Sequence, residues 1–232
     1  KFEQIPGSPI GYWVSEKILL AFRECGLKRI CETRCGLSTG RNDVFLRLWY
    51  EVNIFKIGFS LDRKVAQVAE FKWFPYDKAG EYRKWFGNRE YVLNWEKDGA
   101  ILQNTMHPDG KRIWAHNFNL DKIFNPHIGW SDIISGGLSF RYFEKGFNFD
   151  GSANAAFTEQ KYFDLILSFA NSKIVSYVRP LLNPTLHFKP GNFLDLPFKI
   201  VNIDRNIVHR NISLSRQDWD AHETSWDFKE NE

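Results

Sequence analysis

Methionine is nearly absent from this 232-residue chain, which has one, and cysteine is scarce at three. Cys25, Cys31 and Cys35 are odd in number and match no familiar zinc spacing. That argues against a disulfide framework and for thiols at core or edge positions in a reducing cytoplasm. No run of eighteen apolar residues occurs, which removes a membrane-spanning helix and any membrane partner from consideration. The opening Lys1-Phe2-Glu3-Gln4-Ile5-Pro6-Gly7 has neither an initiator methionine nor the charged-then-apolar pattern of a secretion signal, and reads as an excised fragment.

Several enzyme signatures are missing as well. The histidines at 107, 116, 127, 187, 209 and 222 form no pair at helical spacing and no tight group with the cysteines, so no metal site is expected. No Gly-x-Ser-x-Gly elbow, no Walker loop and no dinucleotide-binding glycine fingerprint is present. Glu32 or Asp43 could act as acid or base, but solvated carboxylates are the commoner case. Catalysis by these residues is not expected.

What the chain has in quantity is apolar and aromatic surface. Hydrophobic residues make up 43%, enough for one large domain or two small ones, and the rings comprise 21 Phe, 9 Trp and 8 Tyr. The net charge of +3 is unevenly spread: residues 215–232 hold six acidic and two basic side chains, which leaves the body at +7. Residues 28–47 hold five basic and two acidic ones. A mildly basic solvated face is the ordinary reading of such a surplus, and it also permits nucleic acid as a partner.

One loop concentrates the relevant chemistry. Cys35-Gly36-Leu37-Ser38-Thr39-Gly40-Arg41-Asn42-Asp43 runs into an apolar stretch beginning at Val44. Its two glycines permit left-handed backbone, and its short donors and one forked cation suit phosphate oxygens. Ordinary turn chemistry is the alternative. The stretches Phe71-Lys72-Trp73-Phe74-Pro75-Tyr76 and Tyr82-Arg83-Lys84-Trp85-Phe86-Gly87 interleave rings with cations, which suits stacking on bases as well as internal packing.

The periodicities predict a mixed α/β fold. Ser8-Pro9 before Ile10, Val14, Ile18, Phe22 and Cys25, with Gly26 as the stop, gives an amphipathic helix. Alternation from Leu46 to Ile54 predicts a half-buried strand, and further strands are expected at 90–95, 111–116, 138–143 and 146–149. A long helix is expected over 160–182, ended or bent by Pro180, with extended segments at 183–188 and 193–198 around a Pro190-Gly191 turn. Residues 215–218 resemble a helix start that the acidic tail does not sustain, as though the surface for Trp219 and Trp226 were missing. There is no internal repeat or low-complexity tract. The expected architecture is α+β: a twisted, largely antiparallel mixed sheet with flanking helices.

Ordered along the chain, several motifs carry a resemblance. They are Ile5-Pro6-Gly7-Ser8-Pro9-Ile10-Gly11-Tyr12-Trp13-Val14-Ser15, the segment 36–52, Lys72-Trp73-Phe74-Pro75-Tyr76, residues 81–88, Asn94-Trp95-Glu96-Lys97-Asp98-Gly99, residues 141–147, Asn171-Ser172-Lys173, residues 181–186 and residues 219–228. Together they resemble the C-terminal part of the PglX family, the adenine-specific DNA methyltransferases of BREX phage-defence systems, and are similar to the target-recognition domains of TaqI-like and type IIG modification enzymes.

The resemblance implies a bacterial cytoplasmic protein in which residues 1–200 form a target-recognition domain for double-stranded DNA and 201–232 begin a C-terminal helical or spacer extension. It also implies that S-adenosylmethionine and the adenine-N6 chemistry belong to a catalytic domain elsewhere in the same polypeptide. The Asn-Pro-Pro-Tyr/Phe adenine motif is not matched by Asn125-Pro126-His127 or Asn183-Pro184-Thr185, and no cofactor is expected in this chain. A recognition domain works through phosphate contacts and base contacts in the major groove. Thr39, Arg41, Asn42, Lys72, Tyr76, Arg83 and Lys84 are expected at the DNA backbone. Gln103, Asn104, His107, Lys111 and Arg112 are candidate base readers, with a solvent-exposed hairpin as the alternative. The competing reading is an interaction module that docks other defence-system proteins or a phage DNA mimic.

Overall fold

One strand, buried along almost its whole length, organises the molecule. In the segment from Ala153 to Thr158, Ala156 packs with one apolar cluster while Ala155 and Phe157 pack with another. Successive side chains of a strand point to opposite faces, so this strand is covered on both sides.

The structure, a computed structural model, describes residues 5–7, 14–24, 26–134 and 136–230. Its helices are α1 (Glu16–Ala21), α2 (Leu27–Ile30), α3 (Asn42–Phe45), α4 (Arg63–Val68), α5 (Glu96–Asn104), α6 (Gln160–Ala170), α7 (Lys173–Leu182), α8 (Pro190–Leu194) and α9 (Arg205–Asp220). Its strands are β1 (Cys31–Cys35), β2 (Leu46–Leu48), β3 (Trp73–Asp77), β4 (Tyr91–Asn94), β5 (His127–Ser131), β6 (Arg141–Phe143), β7 (Asn148–Phe149) and β8 (Ala153–Thr158).

The fold is the expected mixed α/β class with largely antiparallel pairing and flanking helices, and its strands divide into two sheets. One sheet runs β1-β8-β5-β6, all antiparallel; the other runs β2-β4-β3-β7, with a parallel pair between β3 and β7. On the outer face of the first sheet, Ile128 and Trp130 of β5 meet Leu19, Phe163, Ile166 and Val178 from the helices. Its inner face meets the second sheet through Phe74, Tyr76, Leu93 and Phe149. Gly129 lies on that inner face, where a β-carbon would stand 2.4 Å from Asp77 Oδ2 and 2.7 Å from the Phe143 ring, so only glycine lets the layers close. Pro75 is tolerated inside β3 because β7 pairs only with Tyr76 and Asp77, leaving the flank open at the proline.

Several expectations are corrected. The proposed helix start at Ser8-Pro9 lies outside the described residues, as does Cys25; the helix that is described begins at Glu16, with Ser15 as its N-cap. The strand expected over Leu46–Ile54 stops at Leu48, because Glu51 accepts a hydrogen bond from the Leu48 N–H (2.7 Å) and closes a 3-10 turn. Residues 111–116 form one arm of a short hairpin with a single bridge, Met106 to Ile113, rather than a strand. The helix over 160–182 is two helices. Buried Asn171 accepts from the Phe140 N–H (3.1 Å) and donates to the Phe140 carbonyl oxygen (2.9 Å), and Ser172 caps α7, which ends two residues after Pro180. The expected Pro190-Gly191 turn is the start of helix α8, which runs to Leu194 into the segment expected to be extended from 193.

The largest correction concerns the C-terminal region. Residues 215–218 are the end of the sixteen-residue helix α9, and Trp219 does have a surface: it is 5% exposed, with the Arg83 guanidinium 5.1 Å from its ring. Trp226 packs on Phe59, and the Trp49 indole N–H donates to the Thr224 carbonyl oxygen (3.0 Å). Aromatic anchors on the body hold this region, which its acidic composition concealed. Among the described residues no helix is long and apolar enough to cross a membrane.

Candidate nucleic-acid interface

The loop after β1 is shaped by close backbone approach. A β-carbon on Gly36 would lie 2.2 Å from the Asp150 carbonyl oxygen, so this glycine is there for space, not for a left-handed turn. Gly40 combines both demands, with φ +70 and the Trp114 ring 2.3 Å from where a β-carbon would be. Leu37 is held by hydrogen bonds to Phe149 and from Gly151, both 2.8 Å. Ser38 and His116 exchange backbone hydrogen bonds of 3.1 and 3.0 Å. The loop is therefore fixed on three sides before it enters α3.

Its side chains divide into structural and presented groups. Thr39 is buried, and its hydroxyl donates to Asn42 Oδ1 (2.5 Å), so it orders Asn42 and is not itself a surface contact. Arg41 and Asn42 are exposed. Arg41 Nη2 lies 2.8 Å from Asp43 Oδ2, and this hydrogen bond and charge hold the Asp43 carboxyl below its usual range. The pair sits in solvent, and its guanidinium is available to exchange Asp43 for a phosphate oxygen.

The second cluster of candidates lies on the hairpin that follows α5. His107 N–H donates to Arg112 O (2.8 Å), Trp114 N–H donates to Thr105 O (2.9 Å), and the His107 and Trp114 rings meet edge to face at 5.0 Å. Asp109 organises the tip: its carboxylate accepts the Lys111 N–H (2.9 Å) and lies 2.9 Å from His107 Nδ1 and 3.6 Å from Arg112 Nε. The backbone hydrogen bond first, and then the His107 and Arg112 interactions, hold Asp109 below its usual range. Lys111 and Arg112 are exposed. Gln103 and Asn104 turn back on their own helix, donating to Asp98 O (2.6 Å) and Ala100 O (2.8 Å), which engages the amides that were expected to read bases.

Loop and hairpin thus form one continuous rim, joined by the Ser38–His116 bridge and by Trp114 packed on Gly40. The remaining candidates stand apart. Lys72 is exposed beside the Trp73 ring. Arg83 pairs with Asp218 of α9, and Lys84 Nζ donates to Asn171 O (2.8 Å). Tyr76, expected as a surface contact, is a core residue at 0% exposure whose hydroxyl donates to Asp150 Oδ2 (2.9 Å) and lies 3.1 Å from Leu37 O. Burial, reinforced by the Asp150 charge, raises the Tyr76 hydroxyl well above its ordinary value and keeps it a neutral donor.

Inside the rim is a hollow of about 360 Å³ lined by the loop and by Lys78, His116, Asp150 and Ser152. Sequence reasoning missed Lys78 and His116. Lys78 follows directly on the Trp-Phe-Pro-Tyr-Asp stretch, and its place at the end of a strand was the available signal. Its ammonium pairs with buried Asp150 at 2.8 Å and stays partly exposed.

No family model matches the chain. It is 40% identical over 240 residues to an adenine-specific methyltransferase, PglX, of Lacticaseibacillus casei (strain Zhang), and 38% identical over 237 residues to the adenine-specific methyltransferase BrxX of Escherichia coli O9:H4 (strain HS). Each match covers 99% of this chain, which spans about a fifth of the length of these curated relatives (20% and 18%).

Proposed function

From a chain that matches, over nearly its whole length, a segment of the PglX and BrxX adenine-specific methyltransferases, we propose that this segment recognises double-stranded DNA for the methyltransferase of a BREX phage-defence system. Methyl transfer, with S-adenosylmethionine as donor, would take place in a catalytic part outside this chain. Taking an adenine out of the helix requires the flanking duplex to be held in register, and that is the work assigned to this segment.

The observation that carries the reading is the rim itself. Two groups of polar and cationic residues, far apart in sequence, are locked into one surface by backbone hydrogen bonds and a glycine–tryptophan contact. Arg41 and Asn42 on the fixed loop are the phosphate-contacting, positioning elements. Lys111 and Arg112 at the tip of the projecting hairpin are the candidates for entering a groove, since both are exposed and offer donors matched to guanine acceptors.

Titration of duplex DNA at several salt concentrations tests the division. Arg41→Ala should weaken binding to all sequences alike and make the salt slope shallower by about one, whereas Arg112→Ala or Lys111→Ala should cost roughly 1–3 kcal/mol at single base pairs. If all three variants kept wild-type affinity and slope, the rim would not be the DNA surface.

A further inference from the structure

Beside the hollow a second buried acid gathers a lysine and a histidine. Asp132 follows β5 and is buried. Its Oδ2 lies 2.7 Å from Lys189 Nζ and 3.0 Å from His187 Nδ1, while its Oδ1 has no hydrogen-bond partner. Both side chains remain about half exposed, Lys189 at 54% and His187 at 48%. Burial raises the Asp132 carboxyl, and the Lys189 and His187 interactions outweigh it, so the group lies below its usual range and stays charged.

This group is built onto the hollow already described. Asp132 N–H donates to the carbonyl oxygen of Ser152 (2.9 Å), and Ser152 lines the hollow. The Ser152 hydroxyl in turn donates to Asp150 Oδ1 (2.5 Å), the partner of Lys78. Pro190, next to Lys189, accepts a hydrogen bond from Thr33 of β1 (3.2 Å), two residues before Cys35 at the hollow's edge. Two buried acids therefore each hold a lysine: Asp150 holds Lys78, which lines the hollow, and Asp132 holds Lys189, whose charge acts on Cys35 at the hollow's edge. An ammonium has three donors, and each carboxylate takes one in the contacts described.

Resting on the DNA-binding reading above, we infer that Lys78 and Lys189 form a second phosphate-contacting edge, so that one DNA strand crosses the hollow between them and the Arg41–Asn42 loop. Asp132 and Asp150 are positioning residues for it. They fix the lysines by ion pairing and lower the side-chain entropy that a phosphate contact must otherwise overcome. The surplus of cations near the loop is then one side of a track, and its opposite side comes from residues more than thirty positions later in the chain.

The test measures duplex affinity against salt concentration with the full-length methyltransferase that carries this segment. Lys189→Gln should make the slope of log K against log salt shallower by about 0.9, the value for one phosphate contact, for every duplex sequence alike; Lys189→Arg should restore it. Lys78→Gln should do the same, with its thermal unfolding midpoint recorded because it leaves Asp150 without its ion-pair partner. If Arg41→Ala makes the slope shallower while Lys189→Gln, folded as wild type, leaves it unchanged, the second edge is overturned and the DNA reading stands. If neither variant alters affinity or slope, the DNA reading falls and the second edge with it.

Discussion

Ser38 and His116 face each other across an antiparallel bridge, each backbone N–H donating to the other's carbonyl oxygen, at 3.1 and 3.0 Å. The bridge makes the loop after β1 and the hairpin after α5 one rigid surface. Its neighbour Gly40 sets how closely the two can approach, because the Trp114 ring occupies the space where a side chain would begin.

Gly40→Ala should separate the two halves of the rim. The substitution forces alanine into a left-handed conformation and into the Trp114 ring, and should cost roughly 1–3 kcal/mol in urea unfolding. DNA affinity should fall further than the loss of fold accounts for, since both contact groups shift. An alanine variant of wild-type stability would mean that the loop is free to move away from the hairpin.

Tyr76→Phe separates core from surface. Asp150 keeps Lys78 and Ser152 as partners and Leu37 O keeps the Gly151 N–H, so the loss is confined to the phenol hydrogen bond, about 1–2 kcal/mol. The salt slope of DNA binding should not change. A shallower slope in a folded Tyr76→Phe variant would return this residue to the interface.

Trp219→Ala should cost about 3–5 kcal/mol, the range for removing a large buried ring. The ring lies under the Arg83 guanidinium and against Gly87, which ties the end of α9 to the body. An effect below about 1 kcal/mol in thermal or urea unfolding would mean that α9 is only loosely attached.

Much of this layout was legible in the sequence, for reasons specific to each element. The fold class followed from the spacing of turns, and the strand near Tyr91–Asn94 from its apolar run bounded by turn signals. The loop at 36–43 stood out because glycines and short donors are concentrated there. What sequence could not supply was distance. Tyr76 shares its neighbourhood with Lys72 along the chain but faces Asp150 inside the core, and strand alternation alone does not say which face is covered. Helix α9 has few apolar residues over most of its length, so its docking rests on Val208, Ile212 and Trp219, anchors too sparse to read as a broad stripe. Lys78 reaches the hollow from the end of β3, and Lys189 is brought beside Cys35 by its pair with Asp132 after β5, relationships that no local pattern announces.

Asp98 gives a pH dependence of known sign. Burial would raise its carboxyl, but hydrogen bonds from Arg63 (3.1 and 2.6 Å), Gln67 (2.9 Å) and the Trp95 indole (3.1 Å), with the Arg63 charge, hold it below the usual range. A carboxyl lowered on folding contributes stability that is complete above the unfolded value, near 4, and is lost as pH falls through the lower folded value. Asp98→Asn should therefore be less stable than wild type at neutral pH, by about 2 kcal/mol. The gap should narrow as pH falls below about 4. A gap constant from pH 7 to pH 2 would show that charge at this position contributes nothing.

The most direct measurement is of the methylated DNA motif. Cells carrying the full-length methyltransferase would be compared by methylation-sensitive sequencing with cells in which only residues 105–114 are replaced by the corresponding hairpin of a relative with a different motif. Adenine methylation should persist, in a changed sequence context. An active enzyme that methylates the original motif with the foreign hairpin in place would contradict the claim that this surface reads DNA sequence.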